Sequence, residues 1–310
     1  MIFYLLANCF SALSNAVNKF FVKNDYFSEG VRMVDVTFHA NIINFFLFMC
    51  FFFIYRRKHD VGFSLRKSFV NKGEILQILL FSIPIYAAVF KISALEKMPI
   101  PYFEISSMVK PFLVWLLALL LLHEKFYAYY LIYVFMAMVG FLVANFSSIF
   151  LEGYNSADGD LKRILIYLAI GAVGDITRRY YCRKWDNAMQ SIFIEMFIFG
   201  LYGFLYLSIF NKFSLDVFLS PWTYIYSSLA LLHHICIING VQKAPSVAAL
   251  ELLNFSKNIF SLIFAALLLG EETKWFQILG AVIIGVSLYS FNVRRKKQDK
   301  KNSDNLENNV

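Results

Sequence analysis

"MVKPFLVWLLALLLLHEKF", from Met108 to Phe126, and "NFSKNIFSLIFAALLLGEETKW", from Asn254 to Trp275, are two versions of one sentence. Set 147 positions apart, Lys110 falls on Lys257 and Glu124 on Glu271, and just upstream Glu104 falls on Glu251. Each copy places a lysine inside an apolar run. A Lys or Glu at the centre of a membrane helix costs roughly 2.5–3.5 kcal/mol, so such a residue usually faces a cavity or a partner. Two lysines placed alike in two halves point to one shared central site.

The rest of the chain supports a membrane setting. Of 310 residues, 59% are hydrophobic and 16% charged, against roughly 25% charged in soluble domains. A bilayer crossing needs about 20 mostly apolar residues. Residues 126–151 and 275–293 carry no charge at all. A soluble helical core is excluded, because too little polar surface would be left to face water. The 35 phenylalanines are read as lipid-facing side chains, not aromatic cages. The expected fold is an all-α integral membrane protein with ten spans, near 2–22, 32–55, 75–95, 100–122, 126–146, 162–182, 190–210, 221–241, 246–269 and 275–293.

Basic clusters orient these spans. Loop 56–74, the pair Arg183 and Lys184, and the tail from Arg294 all fall on one side if the span number is even. By the positive-inside rule that side is the cytoplasm. Lys162 and Arg163 run against the rule but are outnumbered. Both termini are expected in the cytoplasm, and a bacterial inner membrane is the expected setting. No basic residues precede the first apolar run, and helix one has a counterpart later, so it is expected to be retained.

That counterpart is helix six, at an offset of 160 positions. "SNAVNKFFVK" from Ser14 lies over "GDITRRYYCRK" from Gly174, so Asn15 meets Asp175 and Lys19 meets Arg179. Each half then holds five helices. Five is odd, so the second half enters the membrane the other way up, as in inverted-repeat carriers. The expected divisions are 1–146 for the first repeat, 147–161 for an external loop, 162–293 for the second repeat and 294–310 for a disordered basic cytoplasmic tail.

Five plus five helices, with apolar runs closing in "LLLLHEKF" and "ALLLGEETKW", resemble the drug/metabolite transporter superfamily, in its EamA-type branch. That branch closes the run in Gly-Glu, and His123 stands in place of the glycine in the first copy. The resemblance spans nearly the whole chain to about residue 293. It implies a single-chain carrier working by alternating access. It leaves the substrate open, since the family carries amino acids, nucleotide-linked metabolites, cations and drugs. Some members show Asn/Asp-x-x-x-Lys in the corresponding helices; "NAVNK" from Asn15 keeps that pattern and "DITRR" from Asp175 ends in Arg.

The candidate substrate-binding residues are Lys110, Lys257, Glu104, Glu251, Asp175, Asn15, Glu195, His39, Tyr102 and Trp115. At 1.5 Å per residue, both lysines fall about 15 Å into their helices, near the middle of a core about 30 Å thick. Glu104 lies toward the outer mouth and Glu251 toward the inner. Each Glu is six residues from its Lys, a poor intrahelical spacing, so cross-helix pairs are the alternative. The competing reading of each lysine is snorkelling or a structural ion pair. Asp175 and Arg179 stand at i,i+4 and could pair. Arg178 and Arg179 read as interfacial, and Lys91 as near the outer interface. Glu195 and His39 read as gating or proton-carrying groups. Tyr86, Tyr102 and Trp115 offer stacking or simple packing surface. His233 and His234 point about 100° apart, with one of them facing the cavity. Gly140 and Gly285 are read as close-contact points between helices five and ten.

The four cysteines are scattered, with no CxxC pair, so no zinc or redox site is expected. No metal or cofactor is expected, and no GxxxxGK[ST] loop is present to use ATP directly. The expected partners are a small-molecule substrate, the lipid bilayer and a coupling proton or counter-substrate; the positive charge sits at helix ends and sets topology, so no nucleic acid is expected. The leading expectation is a secondary transporter of a small polar metabolite, an amino acid or an S-adenosylmethionine-like zwitterion. The alternatives are an organic-anion or phosphorylated-metabolite carrier and a proton-coupled cationic drug exporter. A membrane enzyme would need a catalytic constellation, and the sequence has no HExxH or Ser-His-Asp set. A scaffold would not need charges mirrored in both halves.

Overall fold

Inside a bilayer no water is present to satisfy backbone N–H and C=O groups, so an apolar chain must satisfy them within itself as helix. The computed structural model describes residues 2–24, 26–27, 30–58, 82–95, 109–121, 128–144, 158–184, 188–244, 250, 253–254, 256–270 and 275–307. Its elements are helices: α1 Ile2–Lys23, α2 Met33–Lys58, α3 Ile83–Leu95, α4 Val109–Leu121, α5 Ala128–Ala144, α6 Asp158–Lys184, α7 Ala188–Ile209, α8 Leu215–Leu219, α9 Pro221–Lys243, α10 Ser256–Leu269 and α11 Trp275–Glu307. Among the described residues no strand occurs. Three helices there are long and apolar enough to cross a membrane: Met33–Ile54 in α2, Ser191–Ile209 in α7 and Pro221–Lys243 in α9. Shorter apolar stretches lie in α3, α5, α10 and α11.

Two boundaries depart from the sequence reading. A five-residue helix, α8, fills the α7–α9 connection. Ser214 caps it, accepting from the Val217 N–H, and Pro221 then opens α9 where a missing N–H is harmless. The second departure corrects the expected disordered tail: α11 runs on through the basic segment to Glu307. Its Arg, Lys, Gln and Glu residues are good helix formers, and no Gly or Pro interrupts them after Gly285.

The helices pair as α1 with α9 and α10, α6 with α3 and α4, α2 with α7, and α5 with α11. Lipid tails are as apolar as leucine, so close backbone approach matters more than burial of apolar area. Gly140 and Gly280 supply that approach between α5 and α11; a Cβ on either would run into the other's carbonyl. Gly285 is not the partner that the sequence suggested, because a Cβ there would meet nothing within 4 Å. Gly203 plays the same part between α7 and α2, its Cβ position only 2.7 Å from the Phe38 carbonyl. Gly270 ends α10 at φ +65°, the left-handed conformation that favours glycine after a helix. Its counterpart His123 lies outside the described residues.

The largest apolar cluster joins Tyr4 of α1, Phe48 and Phe52 of α2, Phe141 of α5, Phe193 and Phe199 of α7, Ile238 of α9 and Phe291 of α11. Phe46, Phe51, Phe135, Leu142, Phe204 and Leu267 point outward and are well exposed, as lipid-facing side chains are.

Candidate functional site

Polar side chains recur along one face of α1 and one face of α6. On α1 these include Asn8, Ser11 and Asn15; on α6 they include Asp175 and Arg178, with Gly171 on the same face. Spacings of three and four stack such residues on one side of a helix. Both faces line a cavity of about 270 Å³. Its wall also takes Thr37 and Asn41 from α2, Lys91 from α3, Lys110 from α4, Tyr226, His233 and His234 from α9, and Lys257 from α10.

Lys110 and Lys257 thus meet at one cavity, each the second residue of its helix. Lys110 Nζ lies 2.5 Å from Asp175 Oδ2, with the two side chains 17% and 24% exposed. Gly171 makes room for the lysine: a Cβ there would sit 3.1 Å from Lys110 Cε. The ammonium also stands 5.4 Å from the centre of the Tyr167 ring, a cation–π distance.

Asp175 further faces Arg178 Nη1 at 3.9 Å. Arg178 donates through Nη2 to Glu195 Oε1 at 2.6 Å. Glu195 is wholly buried, and His234 Nδ1 approaches the same oxygen at 3.3 Å. That approach lacks hydrogen-bond alignment, since His234 Nδ1 and Glu195 Oε2 both lack a hydrogen-bond partner among the described residues. Opposite, Asn15 Oδ1 accepts from Lys91 Nζ at 3.4 Å. Asn8 donates to the Leu253 carbonyl at 2.8 Å and to Ser256 Oγ at 3.1 Å, and the Tyr4 hydroxyl donates to Asn254 Oδ1 at 2.9 Å. These bonds fasten α1 to the segment that carries Lys257.

Several expectations need correction. Asp175 is tied to Lys110 and Arg178; Arg179 instead donates to the Val241 and Ala244 carbonyls at the end of α9. Neither arginine snorkels: Arg178 and Arg179 are 7% and 1% exposed. Lys91 is drawn into the cavity wall. His39 does not reach the cavity. Its ring nitrogens engage the Asp35 carbonyl at 2.7 Å and the Ser214 N–H at 3.1 Å, where it packs on Phe213 and links α2 to the α8 cap. Tyr86 packs as expected, its ring edge-on to Tyr202 with centroids 5.4 Å apart and its hydroxyl donating to that of Tyr202. Both His233 and His234 line the cavity, and His233 Nδ1 lies 2.8 Å from the Ala7 carbonyl. Glu104, Glu251 and Tyr102 lie outside the described residues, as does the side chain of Trp115. The sequence reading gave no site role to Asn8, Thr37, Asn41 or Lys91. The spacing of Asn8, Ser11 and Asn15 was the signal available for the first.

No known protein-family profile and no curated protein matches the sequence. A solved crystal structure of a protein superposes with a TM-score of 0.68 at 12% identity, covering 95% of this chain and 96% of that one. At that identity the likeness bears on the fold alone.

Proposed function

We propose that this chain is a secondary carrier of a small polar metabolite bearing an anionic group. It would work by alternating access, with ten spans in two inverted five-helix halves and both termini in the cytoplasm. The observation that carries the reading is the cavity, where Lys110 of the first half and Lys257 of the second share one wall. The helix pairings support it. Exchanging α1–α5 for α6, α7, α9, α10 and α11 turns α1–α9 into α6–α3 and α1–α10 into α6–α4, and returns α2–α7 and α5–α11 to themselves. An inverted repeat produces that pattern, and it fits the resemblance to drug/metabolite transporters.

Among the described residues, four cations (Lys91, Lys110, Lys257 and Arg178) face one carboxylate in the wall, Asp175, with Glu195 directly behind. This excess favours an organic anion or phosphorylated metabolite over the zwitterion. The zwitterionic reading keeps one specific support, the carboxylate of Asp175, but Lys110 already holds it.

Purified protein in liposomes tests the reading. Uptake of labelled glutamate, glycerol 3-phosphate, adenosine and choline should show accumulation of an anion above protein-free liposomes. Uptake of choline alone, or of none of the four, would overturn it. Cysteine labelling in intact cells tests the topology: position 155 should label from outside and position 65 should not.

A further inference from the structure

Charges of alternating sign run from Lys110 through Asp175 and Arg178 to Glu195, and the series closes on the His234 imidazole, which itself lines the cavity. The chain ends in two unsatisfied buried atoms, Glu195 Oε2 and His234 Nδ1, neither with a hydrogen-bond partner among the described residues. Buried polar groups are almost always satisfied. With an added proton, His234 would stand as a cation 3.3 Å from the Glu195 carboxylate and turn the approach into an ion pair.

The charged and titratable groups facing this centre come from four helices. They are Asp175, Arg178 and Cys182 on α6, Glu195 on α7, His233 on α9 and Lys91 on α3. With the cavity empty, a proton on His234 would add to the existing positive excess of the wall. An anion arriving at Lys110 and Lys257 reverses that balance. It also competes with Asp175 for Lys110. Asp175 can then turn to Arg178, 3.9 Å away. The hold of Arg178 on Glu195 weakens, and Glu195 becomes free to favour an imidazolium.

We propose that anion binding in the cavity and proton binding at His234 are linked, so that anion and proton occupy the protein together and cross as a symported pair. The proton comes from water on the loading side, sits on the His234 imidazole and leaves with the anion. The proposal rests on the anion-carrier reading above and adds its coupling.

Sulfate is a suitable probe, because it stays dianionic through the range where histidine titrates. Calorimetric titration of sulfate in two buffers of different ionisation heat counts the protons taken up by the protein. Sulfate affinity should rise about five- to a hundredfold as pH falls through histidine's range, with proton uptake on binding. In His234→Gln, sulfate should still bind, but pH dependence and proton uptake should vanish; His39→Gln, away from the cavity, should keep both. Should His234→Gln fail to fold, the buffer-dependent heat of the wild-type protein decides alone. Binding without proton uptake, or uptake that persists in His234→Gln, overturns the linkage and leaves the anion site standing. No sulfate binding at all overturns both.

Discussion

Helices α1 and α6 can be set against each other at an offset of 160 positions, yet one carries amides where the other carries ions. At the offset of 160, Asn15 stands for Asp175 and Asn18 for Arg178. On α6, Asp175 holds Lys110 of α4 and Arg178 holds Glu195 of α7. On α1, Asn15 accepts from Lys91 of α3, while Asn8 binds the chain leading into α10. Both arrangements fasten a central helix to a lysine-bearing neighbour. They differ in what happens when one member is lost. A stranded amide is a modest penalty; a stranded buried charge is a large one.

The largest expected effect therefore lies on α6. Arg178→Met leaves Glu195, wholly buried, without its cation. Breaking such a pair typically costs about 3–5 kcal/mol, to be read as a lowered melting temperature in detergent. Adding Glu195→Met should recover much of the loss, and failure to do so would mean that the pair itself is not what Arg178 stabilises.

Asp175→Asn makes α6 resemble α1. It removes the carboxylate from Lys110, and loss of a charged hydrogen bond typically costs about 1.5–3 kcal/mol. The figure here belongs at the low end, since both side chains are partly exposed. Anion uptake into liposomes should survive the change. Abolished uptake in a folded Asp175→Asn protein would revive the zwitterion reading, in which that carboxylate holds a cation.

Asn18→Ala should have the smallest effect, at most about 1 kcal/mol. Asn18 is 2% exposed; its Oδ1 has no hydrogen-bond partner among the described residues and its side chain bonds the Tyr226 hydroxyl, so a single neutral hydrogen bond is lost. A melting shift as large as that of Arg178→Met would erase the contrast between the helices.

How far this contrast was visible beforehand follows from the physics of each residue. Apolar run length gave the helices, because lipid demands continuous helix over a known thickness. The repeated Lys110 and Lys257 gave the cavity, because a lysine in such a run needs a polar neighbour. Pairing was not legible. Local spacing offered Arg179 to Asp175, but a tertiary partner on α4 took it instead, and Arg179 went to the carbonyls ending α9. His39 looked equally exceptional in its apolar run, yet it serves a loop cap. A single buried histidine in a sequence does not reveal whether its partner is a substrate or a backbone.

The most direct test of a two-lysine anion site compares Lys110→Met and Lys257→Met, which keep much of the apolar stem and remove the charge. Uptake of the transported anion into liposomes is measured beside thermal stability. Each variant should stay folded and lose roughly ten- to a hundredfold in apparent affinity, the equivalent of one charge-assisted contact. Lys110→Met should also melt lower than the unmodified protein, because it leaves Asp175 without its closest cation. Normal uptake by both variants would contradict the shared site.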